Sequence, residues 1–184
     1  MRQTGLNYFN QTHLADMTVT SAYGLSQADQ KTIAGQAQVK TVNYGYFTDA
    51  KIKGSTNSIR IFSNSGSLSQ YKVVAGRLAK TDTEIALNNT LKSTYHLGET
   101  ITLQDGTGLA KTKFKVVGFV KSAEFINHND FGQTSVGTGQ LSGFGVTTKR
   151  AFSLTEYNLA RISYRDTAKL NAYSNAYTKL MNKR

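Results

Sequence analysis

The sequence predicts an α+β fold in which a mixed α/β layer carries a small inserted β-rich subdomain. Short stretches of alternating apolar and polar residues recur along the chain and are typical of half-buried strands, whereas helical signals are few. The segment 71–125 is dense in short strands around one small helix. A length of 184 residues with 39% hydrophobic content suffices for one domain or two closely packed subdomains.

The first part of the chain predicts a strand, a helix and a longer strand region. Residues 17–21 alternate between apolar and polar side chains, as a half-buried strand does. Ser26 stands three residues before Asp29, which predicts a capping box that starts a helix over 27–36. We expect that helix to turn Ala28, Ile33 and Ala37 inward. A long strand region follows over 39–52, and a turn at 53–57 leads into a returning strand at 59–62.

The middle and last parts predict two hairpin-like regions and a final helix. The turn Asp105-Gly-Thr-Gly108 is expected to join a strand at 100–103 to one at 113–120 as a hairpin. Residues 131–145 are rich in glycine and uncharged, which favours a flexible or tightly turned connection. A strand is expected at 157–164, and Asp166 is expected to cap a helix over 167–181. Its helically spaced apolar residues predict a buried stripe of Leu170, Tyr173, Tyr177 and Leu180.

The composition excludes several classes of protein. There is no cysteine, so neither a disulfide framework nor a thiolate metal site is available. The net charge of +11 comes from dispersed lysines and arginines rather than from a run or a face that also carries aromatic residues. We therefore expect no nucleic-acid partner, and an anionic cell-envelope environment accounts for the charge. No apolar stretch is long enough to span a bilayer, and the segment after Met1 lacks the apolar core of a signal peptide. Taken literally, the chain is therefore cytoplasmic.

The residues that carry chemistry in enzymes do not form a recognisable site. Asp82 and Glu84 would share one face of a strand, but an acidic lead-in to a surface strand explains them better. His128 with Asp130 and Glu124 could hold a metal only with further ligands. The chain has no Gly-x-Ser-x-Gly elbow, and Gly137-Thr-Gly139 fails the dinucleotide-binding pattern because a serine takes the place of the third glycine. We expect no catalytic residue, no metal and no cofactor.

Several blocks of sequence resemble the extracytoplasmic core domain of MacB/FtsX-type ABC transporter permeases. They are Tyr71-Lys-Val-Val-Ala-Gly-Arg-Leu78, Glu84-Ile-Ala-Leu-Asn-Asn-Thr-Leu91, His96-Leu-Gly-Glu-Thr-Ile-Thr-Leu103 and Phe114-Lys-Val-Val-Gly-Phe-Val120, flanked by the segments 15–25 and 134–143. The blocks occur in family order, and the resemblance extends over most of residues 8–180. One departure is Ala79, where relatives often have proline.

The resemblance implies a porter-like α/β subdomain made of residues 1–70 and 126–184, with an inserted β-rich subdomain at 71–125. It implies a non-catalytic domain on the extracellular face of the cell membrane, in conflict with the literal cytoplasmic interpretation. Such a domain couples ATP-driven movement of membrane helices to export or to an outer partner. The implied partners are the permease's own membrane helices, a cytoplasmic ABC ATPase, and an extracellular peptide, lipid or lipoprotein.

Two segments are the best candidates for contact with the outer partner. The first is the aromatic strand with Tyr44, Tyr46 and Phe47, although packing is the commoner role of such residues. The second is the glycine-rich segment with Gly137 and Gly139, whose backbone groups could face a partner. The alternatives to a permease domain are a free-standing secreted or wall-associated binding module and a hydrolase of envelope polymers.

Overall fold

The computed structural model describes residues 2–104, 108–125, 130–168 and 170–184, and its fold is α+β as predicted. Its α-helices are α1 (Arg2–Thr12), α2 (Gln27–Gly35) and α3 (Asn175–Met181), and short 3₁₀ turns lie at Asn89–Ser93 and Lys149–Ala151. The described strands are β1 (Met17–Thr20), β2 (Val39–Gly45), β3 (Phe47–Lys51), β4 (Ser58–Ser63), β5 (Lys72–Gly76), β6 (Glu84–Asn88), β7 (Thr100–Thr102), β8 (Lys113–Lys121), β9 (Gly143–Thr147) and β10 (Leu159–Tyr164).

The strands form two sheets. In the first, β10 lies between β1 and β2 and is antiparallel to both. The second sheet has the order β3-β4-β9-β6-β8-β5, and the short β7 also pairs with β8. This larger sheet is mixed, because β4 runs parallel to β9 and β6 runs parallel to β8. The predicted hairpin from β7 to β8 is present, while its turn residues Asp105, Gly106 and Thr107 lie outside the described residues.

The strand region predicted over 39–52 is divided between the two sheets. β2 ends at Gly45 and β3 begins at Phe47, so the chain leaves the first sheet and enters the second within two residues. A Cβ on Gly45 would lie 2.7 Å from Oγ of Ser63, so the close approach there requires glycine. The same hydroxyl accepts a hydrogen bond from the backbone N–H of Tyr46 at 2.9 Å. This crossing joins the two sheets.

The predicted subdomain boundaries at residues 70 and 126 do not coincide with the division between the sheets. All four strands of the segment 71–125 lie in the larger sheet, where β6 pairs with β9 and β9 pairs with β4. The larger sheet therefore combines strands from both predicted subdomains. The division into two subdomains stays a prediction.

The glycine-rich segment contains a buried central strand that the sequence did not predict. All five residues of β9 are buried, and β9 lies between β4 and β6. Gly145 lies against Ile85, where a Cβ would come within 2.6 Å of Cδ1. Glycine usually weakens a strand, but Gly145 leaves room for the Ile85 side chain to pack against the backbone of β9. The expectation of a simple connection over 131–145 is therefore wrong for its last three residues.

The buried apolar residues form two clusters, one of which is mainly aromatic. Phe144 of β9 is fully buried and stacks on Phe125 with ring centroids 5.0 Å apart. Around it lie the rings of Phe62, Tyr71 and Phe131, with centroids 6.0–6.4 Å from that of Phe144. The other cluster packs isoleucine and leucine side chains of β4 and β6 against Phe114 and Phe119 of β8. Burial of this extent supplies most of the driving force for folding.

Two of the helical predictions need correction. The capping box of Ser26 and Asp29 is present, but no residue of α2 is buried, and Ala28 and Ala37 are exposed. Helix α3 begins only at Asn175, and Ser174 caps it. Its predicted apolar stripe is not core, since no residue of α3 is buried and Tyr173, before the helix, is 51% exposed. Helical spacing marks one face of a segment but does not determine what covers it.

Candidate partner-contact groove

A groove of about 560 Å³ runs along the outer edge of β3. β3 is the edge strand of the larger sheet and pairs within it only with β4. The groove is bounded on one side by the segment 135–137 and on the other by Gln104, Leu154 and Asn158. Phe47 and Gly137 both line it, so two of the predicted contact residues meet at one place.

The backbone of β3 presents hydrogen-bonding groups to this groove. The C=O of Tyr46 accepts a hydrogen bond from the backbone N–H of Ser63. The backbone N–H and C=O groups of the even-numbered residues of β3 therefore point toward β4, and those of the odd-numbered residues point outward. At one end, the Asn158 amide bonds both the N–H and the C=O of Phe47, at 2.8 and 2.9 Å. At the other end, the N–H of Gln104 donates to the C=O of Lys51 at 2.9 Å. The backbone groups of Asp49 therefore face the groove between Phe47 and Lys51, whose outward-facing backbone groups have these partners.

Charged side chains fix the outer face of β3. Arg60 makes a bidentate ion pair with Asp49, with N–O distances of 2.7 and 2.8 Å, and its guanidinium lies 5.3 Å from the centre of the Phe47 ring. The same guanidinium donates to the C=O of Gln133 at 3.4 Å, which ties the glycine-rich segment to the strand. Lys51 adds a half-buried positive charge to the groove. The groove thus combines an aromatic ring, a lysine and outward-facing backbone groups.

Gly137 has a backbone conformation and a position that only glycine fits well. Its φ is +62°, and a Cβ there would lie 2.2 Å from Oγ of Ser58. Gly139, with φ of +85°, belongs to a turn in which Gly139 and Thr134 are joined by a backbone hydrogen bond of 3.1 Å. It does not line the groove. Gly137 therefore shapes the wall of the groove, whereas Gly139 shapes the neighbouring turn.

Tyr44 and Tyr46 lie instead in a stack of aromatic rings with Tyr157. Ring centroids are 5.9 Å apart for Tyr44 and Tyr157 and 4.9 Å apart for Tyr46 and Tyr157. Tyr44 donates its hydroxyl to the C=O of Gln30 in α2 at 2.7 Å, and Tyr46 packs on Phe152. Burial raises the pKa of both tyrosine hydroxyls, and Tyr157 raises that of Tyr46 further. These contacts give both tyrosines packing partners within the fold, and their contact with an outer partner stays a prediction.

A buried ion pair, which the sequence did not reveal, joins the two sheets. Arg161 of β10 is 2% exposed and bonds Glu124 through Nε at 2.6 Å and through a terminal nitrogen at 2.8 Å. It also donates to the Tyr71 hydroxyl at 3.2 Å and lies over the Phe62 ring. Burial raises the pKa of the Tyr71 hydroxyl to about 12. The only signal in the sequence was an arginine within an alternating strand.

The carboxylates considered for chemistry have structural partners. Glu124 binds Arg161, and His128, its suggested metal-binding neighbour, lies outside the described residues. Asp82 pairs with Lys111 at 3.0 Å, whereas Glu84 pairs with Arg77. Across the described part of the chain, no three His, Asp or Glu side chains are grouped so that they could hold a metal ion.

None of the described helices is both long enough and apolar enough to cross a bilayer.

Comparison with known proteins gives similarity at the level of structure. No family model matches the chain, and no curated protein matches it. It is similar to the periplasmic region of MacB from Actinobacillus actinomycetemcomitans, with 13% identity and a TM-score of 0.48 over 98% of this chain and 89% of that one. It is also similar to the extracellular domain of the noncanonic ABC-type transporter YknZ from Gram-positive bacteria. Here the identity is 14% and the TM-score 0.47, over 90% of this chain and 91% of that one.

Proposed function

We propose that this chain is the non-catalytic extracytoplasmic domain of an ABC transporter permease, which couples ATP-driven movement of membrane helices to export or to an outer partner. The observation that carries the proposal is the contact between the first helix and the segment that leads into the last one. Phe9 of α1 lies against Tyr173, just before α3, with ring centroids 5.7 Å apart. A domain inserted between two membrane helices needs such neighbouring ends. The sequence resemblance supports the same proposal independently.

The positions of α1 and α3 suit the transmission of movement into the sheets. The end of α1 bonds the loop after β4, since the N–H groups of Ser69 and Gln70 donate to the C=O groups of His13 and Thr12 at 2.8 and 2.7 Å. The segment leading to α3 continues directly from β10, the central strand of the first sheet. A shift at either end is therefore passed to a strand or to a loop next to one.

We place the outer-partner contact at the groove along β3. The groove contains Phe47 and Gly137 together with Lys51, and its backbone groups suit an extended polar or peptide-like segment of a partner. Tyr44 and Tyr46 do not line this groove, and their rings lie against that of Tyr157. The implied partners remain the permease's membrane helices, an ABC ATPase subunit or domain, and an extracellular peptide, lipid or lipoprotein.

A labelling experiment on the full-length protein tests the proposal. Because this chain has no cysteine, Tyr23→Cys introduces a reactive thiol at a position whose side chain is 98% exposed. We expect a membrane-impermeant maleimide to label it on intact cells, and the protein to stay in the membrane after alkaline extraction. The matched control is Ala50→Cys, which is fully buried and is expected to react only after denaturation.

The possible outcomes separate the proposal from its main alternative. Labelling that requires cell lysis would contradict an extracytoplasmic location. Labelling from outside with release of the protein by extraction would favour a free-standing binding module. In a transporting permease, a bulky label at Lys51→Cys is expected to lower transport, while the same label at Tyr23→Cys leaves it unchanged.

A further inference from the structure

The carboxylate of Asp16 gathers hydrogen bonds from three separate places in the C-terminal part of the chain. Its Oδ2 accepts from the backbone N–H of Tyr164 at 2.9 Å and from the hydroxyl of Thr167 at 2.8 Å. Its Oδ1 accepts from the hydroxyl of Tyr177 in α3 at 2.9 Å. The N–H of Asp16 itself donates to the C=O of Ile162 at 2.9 Å, which fixes its backbone to β10. One side chain thus connects the start of β1, the end of β10 and α3.

Apolar packing beneath α3 is incomplete. A cavity of about 500 Å³ is lined by residues of the C-terminal segment, of α1 and of the first sheet, and its walls include Phe9, Leu14, Leu68, Leu170 and Tyr177. Helix α3 has no buried residue, and Tyr177 is half-buried. Since a helix normally stays in place through a buried apolar face, α3 depends to a large extent on directed polar contacts.

The surroundings of Asp16 favour a lasting hydrogen bond to Tyr177. Burial, together with Asp16, raises the pKa of the Tyr177 hydroxyl, so the phenol keeps its proton and remains a donor. His13 and Lys40 line the same cavity and supply the nearby basic groups. A second set of contacts holds the end of the C-terminal segment. Arg184 pairs with Asp166 at 2.6 Å and donates to the C=O of Ala37 at 3.3 Å.

We propose that Asp16 acts as a latch for the C-terminal segment: its bond to Tyr177 holds α3 over the cavity, and losing that bond loosens α3, which then depends on the contacts of Arg184, while both sheets stay folded. The geometry separates the two roles of the carboxylate. Oδ2 serves the turn at the end of β10, and Oδ1 serves α3 alone. The latch stands whether or not the chain is a permease domain. In such a domain, it would set how firmly the last element is coupled to the first sheet.

Hydrogen–deuterium exchange on the 184-residue chain tests the latch. Tyr177→Phe removes only the hydroxyl, and we expect amides of residues 175–181 to exchange about tenfold faster, because a hydrogen bond to a charged acceptor is lost. Strands β6, β8 and β9 are expected to exchange as in the unchanged chain. Asp16→Asn is expected to speed exchange at residues 164–168 as well, since Thr167 and Tyr164 lose the charged acceptor.

Tyr173→Phe is the matched control, because it removes a hydroxyl from a half-exposed ring two residues before the helix starts. It is expected to leave the exchange of α3 unchanged. Equal exchange of residues 175–181 in Tyr177→Phe and the unchanged chain would overturn the proposal. Faster exchange throughout both sheets in Tyr177→Phe would overturn it too, because the bond would then stabilise the whole fold. Neither result bears on whether the chain is extracytoplasmic.

Discussion

Strand β9 and helix α3 are attached to the rest of the fold in different ways. Every residue of β9 is buried between two neighbouring strands, whereas no residue of α3 is buried and a cavity lies beneath its leading segment. β9 is held by its hydrogen-bonded ladders and by close packing of Phe144, while α3 relies on the Asp16 carboxylate and the contacts of Arg184. A rigid sheet with a lightly attached end is the arrangement expected of a domain that receives movement through its termini.

The largest expected effect comes from removing the ring at the centre of the aromatic cluster. Phe144→Ala deletes a fully buried side chain that contacts Phe125, Phe62 and Tyr71. We expect the free energy of unfolding to fall by about 3–5 kcal/mol, because apolar contacts are lost and a cavity remains. Denaturant-induced unfolding followed by circular dichroism measures this loss.

Tyr173→Ala removes an aromatic ring from the segment before α3 and is compared with Phe144→Ala. That ring is half exposed, so its removal is expected to cost less than about 1 kcal/mol. Similar losses in the two variants would mean that the segment before α3 is as much a part of the core as β9 is.

Breaking the ion pair between the sheets is expected to lower the free energy of unfolding somewhat less than Phe144→Ala does. Arg161→Met leaves Glu124 without its cation, which costs about 3 kcal/mol when such a group is buried. This expected loss lies at the low end of the range for breaking a buried ion pair, because the Glu124 side chain is 16% exposed and can be partly hydrated. Thermal or chemical unfolding of the variant measures it.

A double variant sharpens this test. In Arg161→Met with Glu124→Gln, the unpaired charge is gone, so part of the lost stability should return. If the double variant were less stable than Arg161→Met alone, the unpaired carboxylate could not be the cause of the loss.

The smallest effect is expected at the surface of the larger sheet, where it depends on pH. Hydrogen bonds from Arg77 and from the N–H groups of Lys80 and Thr81 lower the pKa of Glu84 to about 2, from an ordinary value of 4.5. A lowered carboxyl pKa means that its stabilising contribution is complete above about pH 4.5 and is lost as the pH falls toward 2. The effect stays small because the Arg77 side chain is 43% exposed.

Glu84→Gln measures this contribution directly. The difference in unfolding free energy between the unchanged chain and the variant should narrow between pH 6 and pH 3. A difference that stays constant over that range would show that ionisation of Glu84 does not stabilise the fold.

Local patterns in the sequence were sufficient for the elements that depend on neighbouring residues. The capping box of Ser26 and Asp29, the hairpin from β3 to β4 and the pairing of β7 with β8 follow from short-range spacing and turn residues. The α+β class followed from the same strand and helix signals. These predictions succeeded because turn residues and spacing over a short stretch of chain decide them.

The surroundings of the predicted contact residues depend on distant parts of the chain. Phe47 and Gly137 meet in one groove, whereas the rings of Tyr44 and Tyr46 lie against that of Tyr157, more than one hundred residues away in the chain. An aromatic residue in a strand has the same local pattern whether it covers a sheet or contacts a partner. The sequence therefore could not place these rings, and their contact with a partner stays a prediction.

The amino-acid sequence by itself determined the α+β class, most strand positions, the absence of thiol chemistry and the strongly positive charge, because these depend on composition and on short-range periodicity. Tertiary structure alone decided that Gly143–Thr147 is a central strand, that Arg161 pairs with Glu124, and that Asp16 reaches Tyr177. Each of these depends on contacts between residues far apart in the chain. Burial and ion pairing belong to the assembled sheets, and no local pattern encodes them.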